Sequence, residues 1–439
     1  MPSVQTTDNI AILGYGVEGR AMALYLLDHG FSRITVCDQK LDVDLMDEFS
    51  ARLGEDYLQG LEDFDVVFRS PGISVNVPEL AGVRAMGKLT SVTQFFLEKC
   101  PCPVIGVTGT KGKGTTSTLL FQMLRGAGRD VHLGGNIGEP PVNFLDELRS
   151  KSLVILEMSS FQLMDVSISP HVAVVLNVTS EHMDYHASVE EYRVAKMNIA
   201  RFQKAENFLI LNADYPYVQQ YSGSEFLAKK IFVSRGSELP CGRDEVGLLG
   251  EHHLENIAAA IAVAKIFDVP RDVIARVVRE FTGLPHRLEF VDERAGVRFY
   301  NDSFSTIPET SIAGFTAFAH GKSAGPVFLL AGGSEKNSDY SEWGKAVNAD
   351  ANLKKVFLVG PSGERMAREI SPGPDDTARF EMVKNLKEGF EKAFREADIM
   401  AHAGERPVVL LSPGAASFNE FKNYKERGEA FRALLEFIR

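Results

Sequence analysis

A glycine-rich loop between an apolar strand and a helix is the feature that most constrains the fold of this chain. The loop runs Gly109-Thr-Lys-Gly-Lys-Gly-Thr-Thr116, after the apolar run Val104–Val107 and before a helical stretch, Thr116–Leu124. In parallel α/β sheets, a strand that enters a helix through such a loop places backbone N–H groups and the helix N-terminus at one sheet edge. The sequence therefore predicts an α/β fold with an anion-binding loop.

The same alternation of apolar strands and helices recurs along the whole chain. Further strands are predicted at Ile10–Leu13, Ile34–Cys37, Val66–Phe68, Leu153–Leu156, Val172–Leu176, Phe208–Leu211, Val327–Leu330, Val356–Val359 and Val408–Leu411. The chain has 439 residues, and at about 150 residues per domain we expect three domains. They are a Rossmann-like domain at 1–95, a central P-loop domain with a mainly parallel sheet at 96–283, and a Rossmann-like domain at 284–439.

Charge and hydropathy exclude two classes of partner. The net charge of -12 and the pI near 5.4 argue against nucleic acid, whose phosphates are held by clustered Lys and Arg. The sequence contains neither an apolar run long enough for a membrane span nor a secretory signal, so we expect a cytosolic protein. The four cysteines lack metal-site and disulfide spacing, and we expect reduced thiols at Cys37, Cys100, Cys102 and Cys241.

The glycine-rich loop has the residue types that bind the phosphates of a nucleotide. Its backbone N–H groups can surround phosphate oxygens, and Lys113 can reach the outer phosphates. The alternative is an ordinary turn with a surface lysine, which the flanking strand and helix disfavour. The candidate ATP-binding residues of the loop are Gly109, Thr110, Lys111, Gly112, Lys113, Gly114, Thr115 and Thr116.

Glu157 and His182 follow two predicted strands at the sheet edge that carries the loop. Each alone is more often a loop carboxylate or a hydrogen-bonded histidine than a metal ligand. Their shared position at one sheet edge fits a magnesium site as well as it fits those two ordinary roles.

Lys196 lies within an apolar stripe. Ser188 and Glu191 have the spacing of a capping box, and Lys196 shares a face of the following helix with Val189 and Ile199. Extension of the lysine to solvent is the usual explanation. A buried lysine can instead lose its proton and become nucleophilic.

The segment Gly14-x-Gly16-x-x-Gly19, followed by Asp38, matches the dinucleotide-binding fingerprint. That pattern alone is weak. Such a glycine turn can also receive the diphosphate of another nucleotide conjugate.

Taken together, these motifs and others resemble the Mur ligase family of ATP-dependent amide-forming enzymes. The segments that carry the resemblance are Ser70-Pro-Gly-Ile73, the phosphate loop, Gly134-Gly-Asn136-Ile-Gly138, Glu157-Met-Ser-Ser-Phe-Gln-Leu163, Asn177-Val-Thr to His182-Met-Asp184, Tyr192-Arg-Val-Ala-Lys196, Thr282-Gly-Leu-Pro-His-Arg287, Asn301-Asp-Ser303, and Ser412-Pro-Gly-Ala-Ala-Ser417 to Lys422-Asn-Tyr424. The resemblance implies a central ATPase domain between a UDP-substrate domain and an amino-acid domain. The expected reaction adds D-glutamate to UDP-N-acetylmuramoyl-L-alanine in peptidoglycan synthesis, and the family suggests a monomer.

The resemblance also implies roles for individual residues. The UDP-substrate would be bound by Val17, Glu18, Asp38, Ser70, Gly72, Asn136, Ser159 and His182. ATP would contact Asn256 with its adenine, Asp302 with its ribose and Arg287 with its γ-phosphate. Mg²⁺, expected as two ions, would be bound by Thr115, Glu157, His182 and a CO2-derived carbamate on Lys196. The glutamate would be held by Lys336, Ser417, Phe418 and Tyr424, and catalysis would depend on Lys113, His182, Lys196 and Arg287.

This chain departs from the family pattern at several positions. Gly114 takes the place of the hydroxyl residue that usually follows the loop lysine, so the magnesium hydroxyl is assigned to Thr115. Phe304 stands where the family usually has Lys, Ile307 where it has Asn, and His253 where Asn is common. These changes bear on which amino acid is added.

Other functions fit parts of the same sequence. An enzyme that adds L-glutamate would share most of these motifs, and Gly114 resembles the loop of folylpolyglutamate synthases, which lack the N-terminal glycine turn. A regulatory protein with a dead site is disfavoured because Lys113, Glu157 and Lys196 are all present. An NAD-dependent oxidoreductase would need a catalytic pair near Gly14–Gly19, and none is found.

Overall fold

A computed structural model describes residues 4–179, 185–251, 253–319, 323–335, 337–370 and 379–438. The chain divides into two compact units. The first unit contains Met1–Pro240 and His252–Val277, and the second contains Cys241–Glu251 and Val278–Arg439. No helix in the described ranges is long and apolar enough to cross a membrane.

The first unit opens with a five-stranded parallel sheet of order β3-β2-β1-β4-β5. Its strands are β1 (Ile10–Leu13), β2 (Ile34–Asp38), β3 (Ser50–Leu53), β4 (Val66–Arg69) and β5 (Leu89–Ser91). Its helices are α1 (Val17–Asp28), α2 (Leu80–Ala85) and α3 (Val92–Lys99), with a 3-10 helix at Leu61–Asp63. The central strands β1 and β4 are mainly apolar and fully buried, because both faces of a parallel sheet are covered there.

A second parallel sheet in the same unit has the order β11-β10-β9-β6-β8-β7. Its strands are β6 (Val104–Thr108), β7 (Val131–Gly135), β8 (Leu153–Glu157), β9 (Val172–Val175), β10 (Phe208–Asn212) and β11 (Lys229–Val233). Its helices are α4 (Lys113–Gly126), α5 (Ser160–Leu163), α6 (Val189–Arg201) and α7 (His253–Ile266), with 3-10 helices at Pro141–Glu147 and Pro216–Ser222. Helix α8 (Arg271–Glu280) begins in this unit and ends in the second.

The second unit contains a six-stranded sheet of order β12-β13-β17-β14-β15-β16, in which only the edge strand β12 pairs antiparallel. Its strands are β12 (Glu289–Arg294), β13 (Val297–Asn301), β14 (Val327–Gly332), β15 (Leu353–Val359), β16 (Phe380–Val383) and β17 (Val408–Leu411). Its helices are α9 (Pro308–Thr316), α10 (Ser341–Ala349), α11 (Gly360–Glu369), α12 (Leu386–His402) and α13 (Tyr424–Leu434), with 3-10 helices at Arg243–Glu245 and Leu435–Phe437.

The predicted α/β class with mainly parallel sheets is confirmed, and the predicted strands coincide with observed strands to within a few residues. Helix α4 begins at Lys113 rather than Thr116, because Gly112 adopts a left-handed conformation and serves as its N-cap. The three domain boundaries stay predictions.

Candidate functional site

The phosphate loop connects the end of β6 to the start of α4, and its glycines are required by its backbone. Gly109 has φ 159° and Gly112 has φ 85°, both in the left-handed region that favours glycine. A Cβ atom at Gly109 would lie 2.9 Å from Leu176 Cβ. Asn177 fixes the loop, because its carbonyl oxygen accepts from Thr110 N at 2.7 Å and its Oδ1 from Lys111 N at 2.8 Å.

Lys113 folds back over the loop. Its Nζ donates to the carbonyl oxygens of Gly109 and Thr110 at 2.9 and 3.0 Å. No acidic side chain lies in the first turn of α4, so no negative charge there opposes the attraction of an anion to the helix N-terminus. Thr115 and Thr116 are buried in that turn, and Thr116 Oγ1 has no hydrogen-bond partner among the described residues.

Lys196 is buried beneath the same loop. Its side chain belongs to α6 and is 2% exposed. The Nζ atom donates to Gly109 O at 3.0 Å, lies 3.4 Å from Thr108 Oγ1, and is 4.7 Å from the centroid of the Tyr192 ring. Extension to solvent, the common explanation from sequence, is therefore wrong for Lys196. The predicted cap is partly confirmed: Ser188 Oγ accepts from Glu191 N at 3.1 Å, whereas the Glu191 carboxylate accepts from Ala187 N.

Glu157 lies beside the loop because β8 pairs in parallel with β6, with Glu157 next to Val107. The carboxylate is buried, and Asn136 Nδ2 donates to its Oε1 at 2.8 Å. A buried carboxylate and a threonine hydroxyl are hard oxygen donors that suit Mg²⁺, and the first turn of α4 offers two buried threonines, the predicted ligand Thr115 and its neighbour Thr116. His182 lies outside the described residues, and within them no three His, Cys, Asp or Glu side chains are grouped to hold a metal.

Asn256, the predicted adenine ligand, lies against the loop. A Cβ atom at Gly112 would overlap its side-chain amide, so the two positions are in direct contact. Its Nδ2 is 3.3 Å from His253 Nδ1. The buried neighbour Glu255 accepts from Tyr215 OH at 3.0 Å and from Arg235 Nε at 3.2 Å. This start of α7 is therefore held firmly beside the phosphate loop.

The N-terminal glycine turn is closely packed. A Cβ atom at Gly19 would collide with the carbonyl group of Gly14, whose oxygen accepts from Ser70 Oγ at 2.8 Å. Asp38 Oδ2 accepts from Tyr15 N at 2.7 Å. Val17, at the start of α1, is 77% exposed. The structure thus brings together Ser70, Asp38 and the turn.

Glu18 contacts a residue that the sequence did not single out. Gln162 Nε2 donates to Glu18 Oε1 at 2.6 Å, and Gln162 also forms a capping box with Ser159. Burial raises the pKa of Glu18 to about 7, while the hydrogen bond from Gln162 and the nearby Arg69 oppose that rise. Gln162 thereby links Glu18 and Ser159, which are both predicted ligands of the UDP-substrate.

Arg69 is a second residue that sequence reasoning missed. It ends β4 fully buried and donates to Asp165 Oδ2 at 2.7 Å and to the carbonyl oxygens of Ile73 and Phe161 at 2.6 and 2.9 Å. Burial lowers the pKa of Arg69, but Asp165 more than offsets this, so the pKa lies above its ordinary value. A cation at the end of an apolar strand is the sequence signal that could have revealed it.

In the second unit, Asp302 is the buried centre of a polar network. Its carboxylate accepts from Leu288 N at 3.0 Å and from Ser412 Oγ at 2.7 Å. Burial raises the pKa of Asp302 to about 7, against the lowering by Ser412, Leu288 and Arg287. Since both oxygens already accept hydrogen bonds, ribose binding by Asp302 stays a prediction.

Arg287 lies beside Asp302 in a turn with left-handed residues on both sides, His286 at φ 63° and Leu288 at φ 46°. The Arg287 guanidinium carbon is 3.8 Å from the centroid of the Phe304 ring. Phe304 in turn contacts Tyr424 edge to face, with ring centroids 4.9 Å apart. The structure therefore brings together two predicted ligands, Arg287 and Tyr424, through Phe304.

Two of the remaining predicted amino-acid ligands follow β17 in the chain. Ser417 is buried and Phe418 is 66% exposed, whereas Lys336 lies outside the described residues. Arg427, which the sequence did not indicate, is buried on α13 and donates to the carbonyl oxygens of Ala415 and Ser303 at 3.1 and 2.9 Å. Burial lowers the pKa of Arg427 to about 10, despite the nearby carboxylates.

Comparison with known proteins gives two family matches. Residues 107–264 match the Mur ligase middle domain, and residues 286–413 match the Mur ligase, glutamate ligase domain. The curated relatives include the UDP-N-acetylmuramoylalanine–D-glutamate ligase of Symbiobacterium thermophilum, 34% identical over 100% of both chains. The enzyme of the same name from Acetivibrio thermocellus is 36% identical over 98% of this chain and 96% of its own.

Solved structures support the fold alone. The MurF ligase of Thermotoga maritima in complex with ADP has a TM-score of 0.60 at 19% identity, covering 97% of this chain and 94% of its own. The folylpolyglutamate synthase of Mycobacterium tuberculosis has a TM-score of 0.56 at 14% identity, covering 80% of this chain and 93% of its own.

Proposed function

The chain belongs to the Mur ligase family, and we propose that it uses ATP to join D-glutamate to UDP-N-acetylmuramoyl-L-alanine. The curated relatives that cover the whole chain carry that activity in their names. The observation that carries the proposal is the site around the phosphate loop, where Lys113, Glu157 and Lys196 converge. Burial of a lysine is energetically costly, so we would not expect an inactive protein of this fold to retain a buried lysine beneath the loop.

The proposed reaction has two steps that form an amide. The terminal carboxylate of the UDP-substrate attacks the γ-phosphate of ATP, which gives an acyl phosphate and ADP. The glutamate amine then attacks the acyl carbon, and the tetrahedral intermediate collapses to the amide and inorganic phosphate. Loop N–H groups, Lys113 and Arg287 would stabilise negative charge on the transferring phosphoryl group.

Thr115, Glu157 and His182 are the proposed ligands of Mg²⁺, which neutralises phosphate charge when bound. A carbamate on Lys196 would add an anionic ligand, since the amine forms a bond to CO2 carbon and releases a proton. The position of Lys196 under the loop supports this proposal. Incubation with ¹³C-bicarbonate should give a carbamate carbon signal that is absent from Lys196→Met, and its presence in that variant would contradict the assignment.

Because ATP and a UDP-linked intermediate are its proposed substrates, we propose that the enzyme acts in the cytosol.

We also propose that it acts as a monomer, since the proposed ligands all come from one chain. Light scattering coupled to gel filtration should give a mass near 48.3 kDa. A stable mass of twice that value would contradict the monomer.

The test is phosphate release from ATP in the presence of UDP-N-acetylmuramoyl-L-alanine, with D-glutamate and L-glutamate in parallel. We expect release with D-glutamate and none when either co-substrate is omitted. Release with L-glutamate alone would point to the alternative ligase. Phe304, which stands where the family usually has Lys, contacts the proposed glutamate ligand Tyr424, so the choice of amino acid needs this direct test. Lys113→Met is the matched inactive control, and no release with any amino acid would refute the proposal.

A further inference from the structure

A pocket of about 430 Å³ lies on one face of the β12–β13 hairpin in the second unit. The hairpin contributes two cross-strand pairs to its wall, Phe290 with Tyr300 and Glu293 with Arg298. Phe290 and Glu293 are three residues apart, and side chains at that spacing in a regular strand lie on opposite faces. The register shifts between Phe290 and Asp292, as at a β-bulge, and this extra residue brings both side chains to the pocket.

Arg298 is a buried cation in the pocket wall. It is 3% exposed, and its Nη atoms donate to the carbonyl oxygens of Ser323, Ala324 and Arg406 at 3.0, 3.1 and 2.5 Å. Its Nε has no acceptor among the described residues. Burial lowers the pKa of Arg298, although the neighbouring Tyr300 opposes this. Because buried charges are normally balanced by an opposite charge, these uncharged acceptors leave the cation short of a counter-ion.

Arg406 adds a second positive charge to the pocket. The Glu293 carboxylate lies 3.9 Å from Arg406 Nη2, and the two side chains are 47% and 63% exposed. An ion pair this long and this exposed is weak. The charged residues in the described part of the wall are two arginines and one glutamate, a net charge of +1. The pocket therefore attracts an anion, to which the exposed Arg406 can bond directly.

Another part of the wall is apolar. The Phe290 ring is 40% exposed and contacts the Tyr300 ring edge to face, with centroids 5.4 Å apart. Leu249 also lines the pocket. A pocket of this size has room for a small organic molecule. An inorganic ion would leave the Phe290 ring in water, whereas the apolar body of an organic anion would cover it.

The pocket lies away from the predicted ligands of the second unit. Arg406 and Ser323 precede β17 and β14, whereas Asp302 and Ser417 follow the carboxyl ends of β13 and β17. Strands β13, β17 and β14 are parallel, so their amino and carboxyl ends lie at opposite edges of the sheet. The pocket is therefore separate from the residues proposed to bind ATP and glutamate.

We propose that this pocket binds a small organic carboxylate whose charged group pairs with Arg406, in the field of Arg298, and whose apolar body covers Phe290. The inference does not depend on the proposed function, because it concerns binding at a different edge of the sheet.

Titration calorimetry of the full chain with 2-naphthoate tests the inference. We expect saturable binding at one site. Arg406→Gln should weaken binding at least about 10-fold, because a charge-assisted hydrogen bond is lost. Phe290→Ala should weaken it about 3- to 10-fold, because the apolar body loses the ring surface. 2-Naphthamide has the same body without the charge and should bind the wild type at least about 10-fold more weakly than 2-naphthoate.

Arg368→Gln is the matched control, since Arg368 is exposed on α11 of the same unit and does not line the pocket. Its Kd should stay within about twofold of wild type, because water and salt screen a distant surface charge. Arg406 holds Arg298 through its carbonyl oxygen, so Arg406→Gln retains that contact and should melt within about 2 °C of wild type. An unchanged Kd in Arg406→Gln, or no saturable binding by the wild type, would overturn the inference. Equal affinities for 2-naphthoate and 2-naphthamide would refute recognition of the charge.

Discussion

Replacing Arg69 with Met is expected to destabilise the first unit and to weaken binding of the UDP-substrate. Arg69 is fully buried, and methionine would fill much of its volume without any donor. The Asp165 carboxylate would lose its partner at 2.7 Å, and the carbonyl oxygens of Ile73 and Phe161 would lose theirs at 2.6 and 2.9 Å. The cost is dominated by a carboxylate left largely buried without its counter-charge.

The size of the effect follows from that burial. Removing one partner of a buried ion pair costs about 3 to 5 kcal/mol. At about 2 to 4 °C per kcal/mol for a large domain, the melting temperature should fall on the order of 10 °C. Arg271 offers the matched control in the same unit: it pairs with Glu238 at 3.0 Å, but the two side chains are 70% and 73% exposed. Arg271→Met should therefore lower the melting temperature by no more than about 3 °C.

Differential scanning calorimetry gives the melting temperatures of both variants. Titration of each substrate gives the KM for the UDP-substrate and the KM for ATP. Arg69 Nη1 donates to Ile73 O, and Tyr185 OH donates to the carbonyl oxygens of Pro71 and Ile73 at 2.8 and 3.0 Å. This turn contains Ser70 and Gly72, so its loosening should raise the KM for the UDP-substrate more than the KM for ATP. If Arg69→Met melted like Arg271→Met, the argument from buried pairing would be wrong.

Three further predictions follow from the geometry and the pKa shifts. Gly109→Ala should abolish ATP binding in calorimetric titration, because a Cβ atom there meets Leu176 in a left-handed backbone; binding at wild-type affinity would contradict this. Glu18 has a pKa of about 7 when folded against 4.5 unfolded, so its folded state loses stability as pH rises between these values. Glu18→Gln should therefore raise the melting temperature more at pH 8 than at pH 5, and an equal gain at both would refute the shift. Burial raises the pKa of Cys102 to about 12, so iodoacetamide at pH 7 should label it much more slowly in the native protein than in urea, as mass spectrometry can show.

Much of the fold could be predicted because its signals are local. Strands such as β1, β6, β8 and β9 are short apolar runs, and the glycines of the phosphate loop mark the change from strand to helix. The parallel register then places Glu157 beside Val107, which brings it to the loop as the sequence indicated. Such placement needs only strand order and direction.

The buried polar partners could not be predicted in this way. Arg69 pairs with Asp165, 96 positions away, and Arg427 donates to Ser303, 124 positions away. Their acceptors are mainly carbonyl oxygens, which every residue has, so side-chain types do not identify the partners of a buried cation. The residues alone leave two interpretations of Lys196 open for the same reason, since its acceptor is the carbonyl oxygen of Gly109.

Two chemical kinds of buried cation explain why the carbamate is proposed on Lys196 and not on an arginine. Arg298 and Arg427 are also buried and bonded to backbone carbonyls, but an arginine side chain stays protonated and cannot form a carbamate. A lysine can lose its proton in an apolar site and attack CO2. Lys196→Arg should therefore keep the charge and the fold while phosphate release falls at least about 100-fold, a loss of roughly 2.7 kcal/mol in transition-state stabilisation. Short carboxylic acids should restore part of the activity in Lys196→Ala, and a fully active Lys196→Arg would show that only the positive charge is needed.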